Sequence, residues 1–159
     1  MFRKIIWATD GSEAADRALP YVKEVAASSG SAVVVCHSVL ALLGPRAGGV
    51  PVLAGEDDIE SRIRGQVDAL TDNGIEASLR IVGGDTVHGA AHEIVRVADE
   101  EGADLIVAGT RGHTALGALL LGGVTQRLLY VASYPVLVVP VRAQEENAAR
   151  ATSTERALA

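Results

Sequence analysis

The sequence holds one cysteine, five aromatic residues and fewer cations than anions, and each shortage removes a class of function. A lone Cys36 cannot close an internal disulfide, and without a second cysteine there is no pair at zinc-ligand spacing. It sits in the run Val33-Val34-Val35-Cys36, where a single thiol behaves as a small buried apolar residue. One Phe, one Trp and three Tyr are too few for a row of base-stacking platforms. With 14 Lys+Arg against 20 Asp+Glu the formal charge is −6, so the clustered cations that duplex phosphates require are missing. Nucleic acid is excluded as a primary partner. Long apolar runs are also scarce. The first ten residues carry an uncharged apolar stretch of only four (Ile5 to Ala8), too short for a signal peptide. Ala115 to Val124 is interrupted by glycines and cannot span a bilayer. A soluble, cytoplasmic protein with no membrane partner is expected.

What is present points to one packed domain. The length of 159 residues fits a single unit, and 48% apolar with 21% charged residues fits a globular core. Strand-like and helix-like segments alternate along it. Lys4 to Ala8 reads as a strand ending in Thr9-Asp10-Gly11-Ser12. Ser12 can then cap one helix that runs to Gly30, with Ala15, Ala18, Leu19, Val22, Val25 and Ala26 on its apolar face. Ala32 to His37 is a β-branched run of the kind buried on both faces in parallel sheets.

Between 40 and 56 stand Gly44, Pro45, Gly48, Gly49, Pro51 and Gly55, which predict a long loop. A helix follows from Asp57 to Asn73, with Asp57, Asp58 and Glu60 complementing its N-terminus. Ala77 to Val82 is a third strand. The next helix carries Ala90, Ala91, Ile94, Val95 and Ala98 and closes at Gly102. Asp104 to Ala108 is a fourth strand, 109–123 a glycine-spaced loop, 124–132 a short helix and Pro135 to Val139 a fifth strand. Residues 142–159 are polar and Ala-rich, without a long apolar stripe, and are expected to be a disordered tail. Right-handed crossovers make this order an open α/β parallel sheet with helices on both faces. Ligands in such sheets sit outside the carboxyl ends of the strands, where the strand order reverses.

Two turns therefore carry the candidate chemistry. The fourth strand ends in Gly109-Thr110-Arg111-Gly112, and nine residues later Gly122-Gly123-Val124-Thr125 opens a helix. Glycines let backbone N–H groups approach an anion, and a helix start adds unpaired donors with a favourable dipole. Arg111, His113 and the Thr125 hydroxyl are further candidate phosphate contacts. Opposite them, Asp10 is either a ligand carboxylate for a ribose or amino group, or a turn acceptor preceding the Ser12 cap. His88 and His92 stand four apart but find no matched third ligand, so no metal site is assigned. His37 reads as a core histidine.

These residues resemble the universal stress protein family, in the subgroup whose motif is G-x2-G-x9-G-[S/T]. Gly109, Gly112 and Gly122 match its glycines, supported by the opening K-I-I-W-A-T-D-G-S, the segment A-D-L-I-V-A-G-T-R-G-H and the closing Y-P-V-L-V-V-P. The likeness covers about residues 1–141, read as one nucleotide-binding domain. It implies a Rossmann-like five-stranded parallel sheet of order 3-2-1-4-5. It also implies a homodimer, for which the apolar edge segment Pro135 to Val141 is the expected seam, and binding of ATP or another adenine nucleotide such as AMP or cyclic AMP. Mg²⁺ or Mn²⁺ would accompany ATP. By the same likeness Thr9 and Asp10 lie beside adenine and ribose, and the backbone of Val39 meets the adenine edge. Gly109 and Gly112 line the ribose and first phosphates, while Gly122, Gly123, Val124 and Thr125 hold the phosphate end.

One position departs from the family pattern: Gly123 stands where Ser or Thr follows the third motif glycine. The N–H survives and the hydroxyl is gone, a hydrogen bond of about 0.5–1.5 kcal/mol. A weaker grip on a triphosphate, or a shift to a smaller adenine ligand, is expected from this, with Gly123→Ser regaining affinity for ATP. No residue is assigned as a catalytic group, since no G-K-[S/T] phosphate loop or obligatory base is seen. A nucleotide-binding stress-response sensor or regulator is the leading reading. Its competitors are a slow ATPase or self-phosphorylating protein using Thr110, Thr114 or Thr125, and a dimeric module that has lost its ligand.

Overall fold

Runs of β-branched and aliphatic residues become interior strands when helices cover both faces of a sheet. The computed structural model of the chain describes residues 1–40, 56–84, 87–110 and 121–140. In order these hold β1 (Lys4–Thr9), α1 (Glu13–Asp16), α2 (Leu19–Ser29), β2 (Ala32–Leu40), α3 (Glu56–Asp72) and β3 (Ala77–Gly84). Then come α4 (Val87–Glu101), β4 (Leu105–Gly109), α5 (Gly123–Val131) and β5 (Val136–Val139). All neighbouring strands pair in parallel, in the order β3-β2-β1-β4-β5. The α/β architecture and strand order are those expected. The predicted loop at 41–55 and the tail at 142–159 lie outside the described residues.

Alternation along the strands divides the core in two. Ile5 and Trp7 of β1 share a cluster with Val22 of α2 and Ile63 of α3. Ile6 and Ala8 turn the other way, into a cluster with Ile94 of α4 and Leu128 of α5. So α2 and α3 cover one face and α4 and α5 the other. Cys36 lies in the second cluster, where burial pushes its thiol up to about 12 and keeps it protonated.

One expectation is corrected. The helix read from Ser12 to Gly30 is two helices, α1 and α2, separated at Arg17 and Ala18. Pro20 is the cause, because it has no N–H to offer the Asp16 carbonyl and its ring crowds that oxygen. Placed in the first turn of α2, it leaves unmade a bond that no helix start makes. The break keeps α1 as a short capped turn at the end of β1.

The amino ends of the strands are tied by charge. Asp104 accepts the N–H of Arg3 at 3.0 Å and that of Lys4 at 3.2 Å, joining the start of β1 to that of β4. Nearby, Glu101 meets Lys4 at 3.2 Å and Arg80 at 2.7 Å, fastening the last turn of α4 to β1 and β3. Burial raises the Asp104 pKa, but the bonds from Arg3 and Lys4 and the Arg3 charge outweigh it and hold the carboxyl below its ordinary value. A depressed folded pKa contributes stability above the unfolded value of about 3.9, and that stability is lost as pH falls through the folded one. The stability difference between wild type and Asp104→Asn should therefore be flat near neutral pH and shrink below about pH 4. Urea midpoints measured across that range check it; a difference constant at every pH would remove the assignment.

Candidate functional site

The turn after β1 satisfies its own backbone with side chains. Thr9 Oγ1 accepts the Gly11 N–H at 3.0 Å. Asp10 Oδ1 accepts the Ser12 N–H at 3.0 Å and the Ser12 hydroxyl at 2.6 Å. Ser12 Oγ in turn accepts the Ala15 N–H at 3.2 Å and caps α1. Asp10 is thus a turn acceptor through one oxygen, and it stands half-buried at the carboxyl end of a central strand. Gly11 makes this geometry possible: its φ is +75°, and a Cβ there would lie 2.2 Å from Ile59 Cγ2. The backbone of the turn therefore presses directly on α3.

Across the sheet, two bonds fasten the start of α5 to the end of β4. The Gly122 N–H donates to the Thr110 carbonyl at 2.7 Å, and the buried Thr125 hydroxyl donates to the Gly109 carbonyl at 2.8 Å. Gly122 caps the helix without a side-chain bond, and its carbonyl receives the Gln126 N–H at 2.8 Å. The N–H groups of Gly123, Val124 and Thr125 have no intrahelical acceptor, as in any first turn. They and the positive end of the helix dipole lie at the end of β4, the strand next to β1, after which Asp10 stands.

This is where the strand order reverses: the chain leaves β1 toward β2 and leaves β4 toward β5. Thr9 is buried, Val39 half-buried near the end of β2, and Gly109 buried at the end of β4. The structure thus gathers Thr9, Asp10, Val39, Gly109, Gly122, Gly123, Val124 and Thr125 at the carboxyl edge of three adjacent strands. Arg111, Gly112 and His113 lie outside the described residues. His37 is buried at the same level, and its Nδ1–H donates to the Thr9 carbonyl at 3.2 Å. His92 is exposed on α4.

Sequence reasoning did not reach the α3 side of the site. A groove of about 440 Å³ opens beside the β1 turn, lined by Gly11, Ser12, Glu13, Asp58, Ile59 and Arg62. Only packing brings residues 58–62 to residues 11–13, so no sequence spacing could reveal it. Arg62 is held there by Asp16 at 3.5 Å. Among the described residues no group of three or more His, Cys, Asp or Glu is placed to hold a metal ion. None of the described helices is long and apolar enough to cross a membrane.

Helix-start donors and a carboxylate at the ends of adjacent parallel strands suit a ligand with an anionic end and a polar hydroxylated or amino-bearing part. The profile of the universal stress protein family matches residues 1–140. A universal stress protein of Methanocaldococcus jannaschii is 32% identical over 155 residues, spanning 87% of this chain and 95% of that protein. Its solved structure superposes with a TM-score of 0.70 over 88% of this chain and 96% of that one, at 28% identity. A universal stress protein solved with cyclic AMP has a TM-score of 0.64 at 24% identity, covering 88% and 98% of the two chains. One from Archaeoglobus fulgidus, solved with dAMP, has 0.63 at 24%, covering 87% and 98%.

Proposed function

The chain belongs to the universal stress protein family, and from that premise we propose that it binds an adenine nucleotide across the carboxyl ends of β4, β1 and β2. The observation that carries the reading is the start of α5, bonded twice to the end of β4 beside Asp10 at the point where the strand order reverses. Phosphate at those N–H groups, ribose at Asp10 and base at Val39 follow the order of the three strands. Two relatives of the same fold bind cyclic AMP and dAMP, which supports an adenine ligand. Gly109, Arg111, Gly112 and His113 complete the proposed phosphate and ribose contacts, with Mg²⁺ or Mn²⁺ accompanying ATP.

Binding rather than turnover is the function so proposed: nucleotide stabilises one conformation of a cytoplasmic stress-response protein, which then regulates a partner. The Thr125 hydroxyl supports this over self-phosphorylation at that residue, because it is buried and donates its proton to Gly109. Thermal unfolding with ATP, ADP, AMP and cyclic AMP, each with and without Mg²⁺, tests the reading. A ligand at about 100 times its Kd adds about 2.7 kcal/mol, a rise of roughly 5–10 °C for a domain this size. No rise with any of the four would reject nucleotide binding and favour a ligand-free module.

A homodimer through β5 belongs to the same proposal. The strand ends the sheet, Leu137 on it is exposed, and Leu129 and Tyr130 of α5 are exposed at 50% and 77%. An apolar edge strand invites pairing with a second copy. Light scattering at micromolar concentration should give twice the chain mass, and Leu137→Lys should lower it toward one. A wild-type monomer would sink the claim.

A further inference from the structure

The pairing of β1 with β2 ends at Thr9 and His37, while β2 runs on against β3 through Leu40. One side chain spans that last rung: the His37 imidazole, bonded to the Thr9 carbonyl. We propose that His37 is a positioning residue of the nucleotide site, holding the peptide between Thr9 and Asp10 so that Asp10 meets the ribose. The inference rests on the nucleotide reading above and adds to it the group that sets its ribose contact against its base contact.

The direction of the bond follows from its acceptor. A carbonyl oxygen can only accept, so Nδ1 carries the proton and the imidazole donates at 3.2 Å. Strand alternation brings the two residues together. His37 alternates with Val33 and Val35 and shares with them the sheet face under α2 and α3. Thr9 alternates with Ile5 and Trp7 onto the same face. Both are buried, so the bond is made out of reach of bulk solvent, where a lost partner is not replaced without cost.

The Thr9 carbonyl belongs to the same planar peptide as the Asp10 nitrogen, so its orientation carries over to the Asp10 Cα. The bonds from Thr9 Oγ1 to Gly11 and from Asp10 Oδ1 to Ser12 lie within the turn and give it its shape. The His37 bond ties that turn to a second strand, and two residues further along the same strand stands Val39, the proposed base contact. Valine would continue the apolar face of β2 as Val33 and Val35 do, so core packing alone does not call for an imidazole at this position. What the imidazole adds is a fixed relation between the ends of the two strands that take the nucleoside, and a binding site needs that relation held within about 0.5 Å.

Calorimetric titration of the full chain with adenosine and AMP tests this, in wild type, His37→Leu, His37→Asn, Asp10→Ala and the pair His37→Leu with Asp10→Ala. Asparagine carries an N–H on its δ atom, as the imidazole protonated at Nδ1 does, whereas leucine keeps bulk there and loses the donor. His37→Leu should weaken both ligands about tenfold, and His37→Asn by less than about threefold. On top of Asp10→Ala, His37→Leu should cost less than about twofold more, because a residue acting through Asp10 then has nothing left to position. Unfolding temperatures without ligand establish which variants fold. Should His37→Leu not fold, His37→Gln, whose amide lies one bond further out, takes its place. Wild-type affinity in His37→Leu, a loss in His37→Asn as large as in His37→Leu, or an undiminished loss on top of Asp10→Ala would each overturn the proposal and leave the nucleotide reading intact. A wild type that binds neither ligand would overturn both.

Discussion

Trp7→Ala is expected to lower the free energy of unfolding by about 3–5 kcal/mol, the range for removing a large aromatic from a core. Trp7 is fully buried in the middle of β1, paired with Val35 of β2 and Val107 of β4. It belongs to the cluster that joins α2 and α3 to the sheet, so its loss opens a cavity under both helices at once. For a domain whose whole stability is about 5–15 kcal/mol, that is a large fraction. The unfolding temperature should fall by roughly 10 °C or more. Trp7→Phe separates volume from polarity. The indole Nε1–H is buried without a partner, so phenylalanine removes an unsatisfied donor while leaving a smaller cavity. Its cost should be about 1 kcal/mol, well short of the alanine variant. Chemical denaturation followed by circular dichroism measures both, and equal losses would show that the ring volume is not what matters.

Gly11→Ala should cost roughly 3 kcal/mol and weaken nucleotide binding together with stability. A non-glycine residue at positive φ costs about 1–2 kcal/mol, and the new Cβ, 2.2 Å from Ile59 Cγ2, forces α3 or the turn to shift at a further cost of about 1–3 kcal/mol. The same turn holds Asp10 and the Ser12 cap, so moving it displaces the proposed ribose contact. A double-mutant cycle with Ile59→Ala identifies the steric part. Removing Cγ2 relieves the clash and leaves the backbone strain, so the two substitutions should couple favourably by more than about 1 kcal/mol. Strict additivity would mean that α3 does not press on this turn.

Much of this was legible from residues alone, for reasons that differ by element. The β-branched runs of β1, β2 and β4 announce strands buried on both faces, and interleaved 3.6-residue periods announce helices. Together these dictate a parallel sheet because only crossovers can connect it. The break at Arg17 and Ala18 was missed although its cause is printed in the sequence: apolar spacing continues through Pro20, while the backbone bond that Pro20 cannot make stops the helix. Asp10 showed the opposite balance. Its proximity to Ser12 suggested a turn acceptor and its place after β1 suggested a ligand. The structure shows the first through Oδ1.

Local chemistry and periodicity determined the element order, the strand order through the family pattern, and the two turns that carry the candidate site. These are properties of neighbours along the chain, where backbone sterics and side-chain period act directly. Tertiary structure alone decided that Ile59 and Arg62 of α3 line a groove beside Gly11 and that the Thr125 hydroxyl is committed to Gly109. It also decided that Arg80 of β3 finds its carboxylates, Glu100 and Glu101, on the last turn of α4. Which donors are satisfied depends on contacts between residues far apart in sequence, and no spacing along one chain encodes whether a charge has found its partner.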